Sequence, residues 1–148
     1  MRKVIQTPNA PKAIGTYSQA ISTGNLTFIS GQIPLDPSTM DIIEGDFKDR
    51  ARCVFNNIKG IAEESGANLN DIVKITIYLT DLANFASVNE VMLEYFDSPF
   101  PARAAIQVSA LPKDVDIEAD AIVALDDLWS SQLTNMIEIN HEISNLKG

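Results

Sequence analysis

Two side chains in this sequence suit chemistry on a small acid better than any others, Arg103 and Glu118. Arg103 lies in Phe100-Pro101-Ala102-Arg103-Ala104-Ala105, where small neighbours leave its guanidinium unshielded. That planar fork of donors matches a carboxylate bidentately, which a lysine cannot do. Glu118 follows in Val115-Asp116-Ile117-Glu118-Ala119. On a neighbouring strand its carboxylate would position or activate a water beside whatever the fork holds. Asp116, Glu118 and Asp120 alternate along one strand face, and their mutual repulsion raises a pKa. Whether Glu118 then acts as acid, base or water-orienter stays open.

Four further positions draw notice, although ordinary strand and helix decoration also accounts for them. Tyr17 and Ser30 place hydroxyls in hairpin strands, and Gly31 allows a backbone N–H to approach a ligand closely. Asn89 falls four residues after Phe85 and three before Met92, so it projects from the apolar side of its helix. A buried amide must find partners, in a substrate or in neighbouring backbone.

The bulk composition narrows the field. The 148 residues suffice for one domain with a proper core and are too few for two. A net charge of −9 with no basic cluster argues against nucleic-acid binding, which requires cations to neutralise phosphates. Cys53 is the only cysteine and His141 the only histidine, so neither a disulfide nor a His/Cys metal cluster is expected. Cys53 reads as inert filler off the main stripe of its helix, and His141 as an exposed tail residue. There is no glycine-rich phosphate loop and no nucleophile elbow. No apolar run approaches a signal peptide or a membrane span, so the expected location is the cytoplasm.

The elements that must position these residues follow from hydrophobic period. Residues 1–16 are polar and proline-punctuated and read as turns. Thr16 to Ser30 reads as two strands around Gly24-Asn25, with Leu26, Phe28 and Ser30 on one face of the second. Pro34 to Gly45 reads as a loop with a short extended piece at Met40–Ile43. Phe47, Ala51, Val54, Phe55, Ile58, Ile61 and Ala62 recur at helical spacing, with Asp46 as N-cap and Gly66 as stop. Val73, Ile75, Ile77 and Leu79 alternate with polar residues as a strand should. A second helix from Leu82 or Asn84 to Phe96 would bury Phe85, Val88, Met92 and Phe96. Strands at 102–108 and 115–125 close the domain. This order implies an α+β sheet with both helices on one face. The opposite face would carry Tyr78, Ala105, Ile122 and Ala124, mixed enough to expect another subunit over part of it. Trp129, Leu133, Met136, Ile139, Ile143 and Leu146 recur every 3 or 4 residues, which predicts an amphipathic helix in a C-terminal extension, 128–148, beyond a domain at 1–127.

In this order and spacing, a set of short segments closely resembles the RidA family, also called the YjgF or reactive-intermediate deaminase family. They are Asn9-Ala10-Pro11, Tyr17-Ser18-Gln19-Ala20, Ile29-Ser30-Gly31-Gln32-Ile33-Pro34, Asp71-Ile72-Val73-Lys74, Phe85-Ala86-Ser87-Val88-Asn89, Phe100-Pro101-Ala102-Arg103, Leu111-Pro112-Lys113-Asp114-Val115 and Ile117-Glu118. The resemblance runs from about Val4 to Leu125. It implies a chorismate-mutase-like mixed sheet, a homotrimeric barrel with clefts between subunits, and no cofactor. The implied reaction is hydrolysis of reactive 2-imino or enamine acids, such as 2-aminoacrylate, to 2-keto acids and ammonium. By resemblance Arg103 grips the substrate carboxylate, and Tyr17, Ser30, Gly31, Asn89 and Glu118 occupy other cleft positions. Relatives often carry cysteine where this chain has Ala105 at the substrate, so no thiol acts there. Ala119 stands where Ile or Met is usual, which would leave room beside the glutamate. The rival readings are a trimeric keto-acid-binding module without turnover, and a ribonuclease or translation inhibitor. The acidic balance weighs against the latter.

Overall fold

The computed structural model describes residues 1–126 and 128–146, with the side chains of 128–134 outside that description. Its core is a six-stranded sheet in the order β1-β2-β3-β6-β4-β5. The strands are β1 (Lys3–Ile5), β2 (Ala20–Thr23), β3 (Leu26–Gln32), β4 (Ile72–Leu79), β5 (Ala102–Gln107) and β6 (Ile117–Ala124). Helices α1 (Phe47–Glu64) and α2 (Phe85–Tyr95) cover one face, and α3 (Leu128–Leu146) follows the last strand. Only β4 and β5 run parallel, because α2 forms the crossover that parallel neighbours need. Arrangement and composition are those of a mixed α+β fold.

Helix α1 forms where its apolar stripe predicts. Asp46 accepts from the Asp49 N–H at 2.9 Å while Asp49 accepts from the Asp46 N–H at 3.1 Å, a reciprocal cap for the first turn. Gly66 ends the helix at φ +90°, a conformation side chains with a Cβ rarely adopt. Val54, Phe55, Ile58 and Ile61 are buried completely against Ile75, Ile77, Leu79, Ile117 and Val123 of the sheet.

Five local expectations change in three dimensions. Residues Lys3–Ile5 pair with β2 as an edge strand that the proline-rich composition conceals. The register of β4 against β6 shifts between Ile72 and Lys74, so Ile72 enters the core and Val73 stays 46% exposed. Phe85 is not buried with Val88 and Met92, because it stands at the first turn of α2, over Arg103. Ala105 lies opposite Ile77 and therefore on the helix-covered face, not the open one. Ala119 also faces the core and is fully buried, so it cannot make room beside Glu118, which points the other way.

The open face is apolar across four strands. Val4, Ile21, Phe28 and Ile122 lie opposite one another in register. Val4 and Phe28 are 59% and 44% exposed, and Ile106 on β5 is 44% exposed. Such a contiguous patch on a chain's surface usually marks an interaction site. Helix α3 shows its described side chains, 135–146, to solvent, including Met136, Ile139, Ile143 and Leu146. Trp129 and Leu133 of its predicted stripe lie outside the described side chains. No described helix is long and apolar enough to cross a membrane.

Candidate functional site

Arg103 is held by neutral groups. It sits on β5 opposite Ile75, which sends its side chain toward the helix face and under α2. Nη1 donates to Oδ1 of Asn89 at 2.5 Å and to Sδ of Met92 at 3.4 Å. Its Cζ lies 4.9 Å from the ring centroid of Phe85. Phe85, Asn89 and Met92 recur at spacings of 4 and 3 along α2, so one helix face supplies all three contacts. None carries a charge, and the ion pairs among the described residues do not include Arg103. The guanidinium is thus oriented without being neutralised. It borders a cleft of about 470 Å³ lined also by Leu93, Phe100 and Pro101.

Glu118 sits in a second cleft, of about 620 Å³, together with Tyr17, Ser30, Gly31, Lys12 and Lys113. Its carboxylate presses on Gly31, where an added Cβ would stand 2.5 Å from Oε1. Any larger residue there would make the Glu118 side chain swing aside. Gly31 falls between Ile29 and Gln32, where the ladder to β6 shifts register and the backbone is released from regular pairing. Burial pushes the Glu118 carboxyl above its ordinary range, and the neighbouring Asp120 adds to the effect. Asp116 takes no part in that repulsion as the sequence suggests it would. It sits before the strand and accepts two hydrogen bonds from Arg50, at 2.8 and 2.7 Å.

The hydroxyls in this cleft are partly committed. Ser30 Oγ donates to the Ser18 carbonyl at 2.5 Å, which leaves its oxygen as an acceptor only. The half-exposed Tyr17 accepts from the Ile14 N–H at 3.2 Å and keeps its proton available for donation. Ala105 lies two residues beyond Arg103 and packs against the core. Asn89 is part-buried and its partner is Arg103, neither of the two partners expected for it.

The central sequence expectation, Arg103 and Glu118 on adjacent strands, fails within one chain. β4 separates β5 from β6, and Glu118 lies opposite Tyr78 while Arg103 lies opposite Ile75. Two strand spacings and three residues along the strand put their Cα atoms about 14 Å apart. The side chains also leave opposite faces of the sheet, because Ile75 is buried under the helices and Tyr78 is on the open side. The two clefts share no lining residue.

Sequence reasoning missed Phe85 and Met92 as supports of Arg103, although their spacing around Asn89 carried the signal. It also missed Lys12 and Lys113. The left-handed backbone of Lys113, φ 56°, follows from the tight Leu111-Pro112-Lys113-Asp114 turn. Burial raises the Cys53 thiol to about 11, and its Sγ lies 3.3 Å from the Leu35 carbonyl. His141 is exposed. Among the described residues no group of His, Cys, Asp or Glu is arranged to hold a metal ion.

Comparison with known proteins agrees with this arrangement. The family model described as Endoribonuclease L-PSP matches residues 7–125, ending before α3. A 2-iminobutanoate/2-iminopropanoate deaminase of Dermatophagoides farinae is 41% identical over 125 residues, covering 84% of this chain and 98% of that one. The crystal structure of RidA from the Antarctic bacterium Psychrobacter superposes with a TM-score of 0.81 at 51% identity, over 83% of this chain and 99% of that one. That of E. coli TdcF with bound serine gives 0.79 at 42%, over 84% and 99%. With its fold, its landmark segments and its family match in agreement, this chain belongs to the RidA (reactive-intermediate deaminase) family.

Proposed function

We propose that this protein is a deaminase that hydrolyses 2-imino and enamine acids, 2-aminoacrylate among them, to 2-keto acids and ammonium. We further propose that it works as a homotrimer, with Arg103 of one subunit facing the Glu118 cleft of the next. The carrying observation is the uncompensated guanidinium, fixed by Asn89, Met92 and Phe85 and free to accept a carboxylate. A half-buried carboxyl of raised pKa supplies the complementary acid–base group. Neither cleft is a complete site by itself, and the bare apolar sheet face gives a reason for subunits to associate. The deaminase name of one relative and the serine bound to another, E. coli TdcF, agree with a small carboxylate ligand.

In this mechanism an enamine first takes a proton at carbon and becomes the imine. Arg103 pins the carboxylate and so fixes the imine carbon. Water adds to that carbon while Glu118 relays a proton to the nitrogen. The carbinolamine then collapses: the C–N bond breaks, the C=O forms and ammonia leaves as ammonium. Gly31 and Tyr17 offer donors to the substrate or the water, and Ser30 an acceptor. One positioned acid–base group contributes roughly 10²–10⁴-fold, and alignment adds to it. The demand is modest, since such imines also hydrolyse unaided.

The test couples a serine or threonine dehydratase to this protein and follows keto-acid release while semicarbazide competes for the imine. Accelerated release with wild type and not with Arg103→Ala is expected. Equal rates with both and with buffer would remove the proposal, and binding of 2-ketobutyrate without acceleration would replace it with a sensor.

A further inference from the structure

We infer that Asp120, held in place by Tyr78, is a positioning residue that decides when Glu118 carries its proton. This rests on the deaminase reading above. Strand alternation puts residues 118 and 120 on the same open face of β6, about 7 Å apart along the strand. Tyr78 of β4 lies directly opposite Glu118, yet its hydroxyl donates to Oδ2 of Asp120 at 2.8 Å. The tyrosine therefore holds Asp120 near its own strand. Glu118 bends the other way, onto Gly31 of β3. The two carboxylates are splayed but remain in range of each other.

The other groups around Glu118 clarify why Asp120 matters. β3 contributes Gly31, which has no charge to offer. The loops around the cleft contribute Tyr17, Lys12 and Lys113. Lys12 and Lys113 are the cations lining that cleft, and in the proposed assembly a neighbour's Arg103 would join them. Asp116 is spoken for by Arg50. Asp120 is thus the one acidic neighbour opposing these cations among the described residues, and its charge adds to the effect of burial on Glu118. Tyr78 cannot take over as the acid. Its hydrogen bond to Asp120 pushes its own pKa up to about 12, so it stays a donor at working pH.

A pH–rate profile of kcat/KM on the full-length protein, together with a carboxyl ¹³C titration of Glu118 in the absence of substrate, tests this. Asp120→Asn keeps an acceptor for Tyr78 and removes the charge. The limb governed by Glu118 and its titration midpoint should both move to lower pH, by about 0.5–1 unit. Asp120→Glu, which restores the charge, should return both toward wild type. If Glu118 is the acid, the alkaline limb moves; if it is the base, the acidic limb moves. An Asp120→Asn protein that loses rate with an unmoved midpoint would overturn the inference, leaving Asp120 a structural residue only. Absence of turnover in wild type would sink the deaminase reading alone, because the substrate-free titration still tests the pair.

Discussion

The two clefts solve opposite electrostatic problems with similar materials. Around Arg103 the chain supplies an amide, a thioether and an aromatic ring, all neutral, so the cation is steadied and its charge kept. Around Glu118 it supplies burial and a second carboxylate, so the anion is made more costly and the carboxyl pKa is pushed up. In the proposed reaction one surface would receive negative charge and the other would exchange a proton. An arginine tied into an ion pair, as Arg50 is with Asp116, could serve neither purpose. The comparison teaches that a site can be read from which partners a charge is denied.

The largest expected effect breaks the acidic side. Glu118→Gln keeps the shape and removes the titrating proton, and should lower kcat by roughly 10²–10⁴-fold in the semicarbazide assay. Arg103→Ala should cost about 10–100-fold in kcat/KM, the worth of a charge-assisted carboxylate contact, with Arg103→Lys recovering only part. A KM effect without a kcat effect would mean that Arg103 binds without aligning.

Mixing these two impaired variants sharpens the contrast. In a closed ring of three, every trimer containing both variants regains one native Arg103–Glu118 pairing. Random exchange should therefore restore roughly a quarter of wild-type activity. No recovery after verified subunit exchange would refute the shared cleft.

Gly31→Ala should impair turnover less completely while leaving Arg103-dependent binding in place. Its Cβ would have to displace Glu118, because 2.5 Å to Oε1 is far inside contact distance. Calorimetry with 2-ketobutyrate and the rate assay together check this; full activity would show that the carboxylate can move freely.

The smallest effect concerns α3. A chain ending at Asp126 should keep its kcat and lose only a few degrees of melting temperature, about 2–4 °C if the exposed Met136, Ile139, Ile143 and Leu146 contribute roughly 1 kcal/mol against a neighbouring subunit. Unchanged melting and assembly would leave that stripe without a structural role.

Much of this molecule was legible residue by residue. The stripe of α1 and its Asp46 cap, the strict alternation of β6 and the helical face bearing Phe85, Asn89 and Met92 are local patterns, because period and capping act within a few residues. The donor and acceptor capacities of Arg103 and Glu118 are likewise set by side-chain type alone. Their relationship is not. Strand order, the register slip that turned Val73 outward and the inward direction of Ala105 and Ala119 depend on pairings between distant segments. A strand inserted between two others separates an arginine from a glutamate, and the odd offset of their partners along it sends them to opposite faces. Local sequence determined the side-chain types and the elements bearing them; long-range hydrogen bonding decided which of those groups the fold keeps apart.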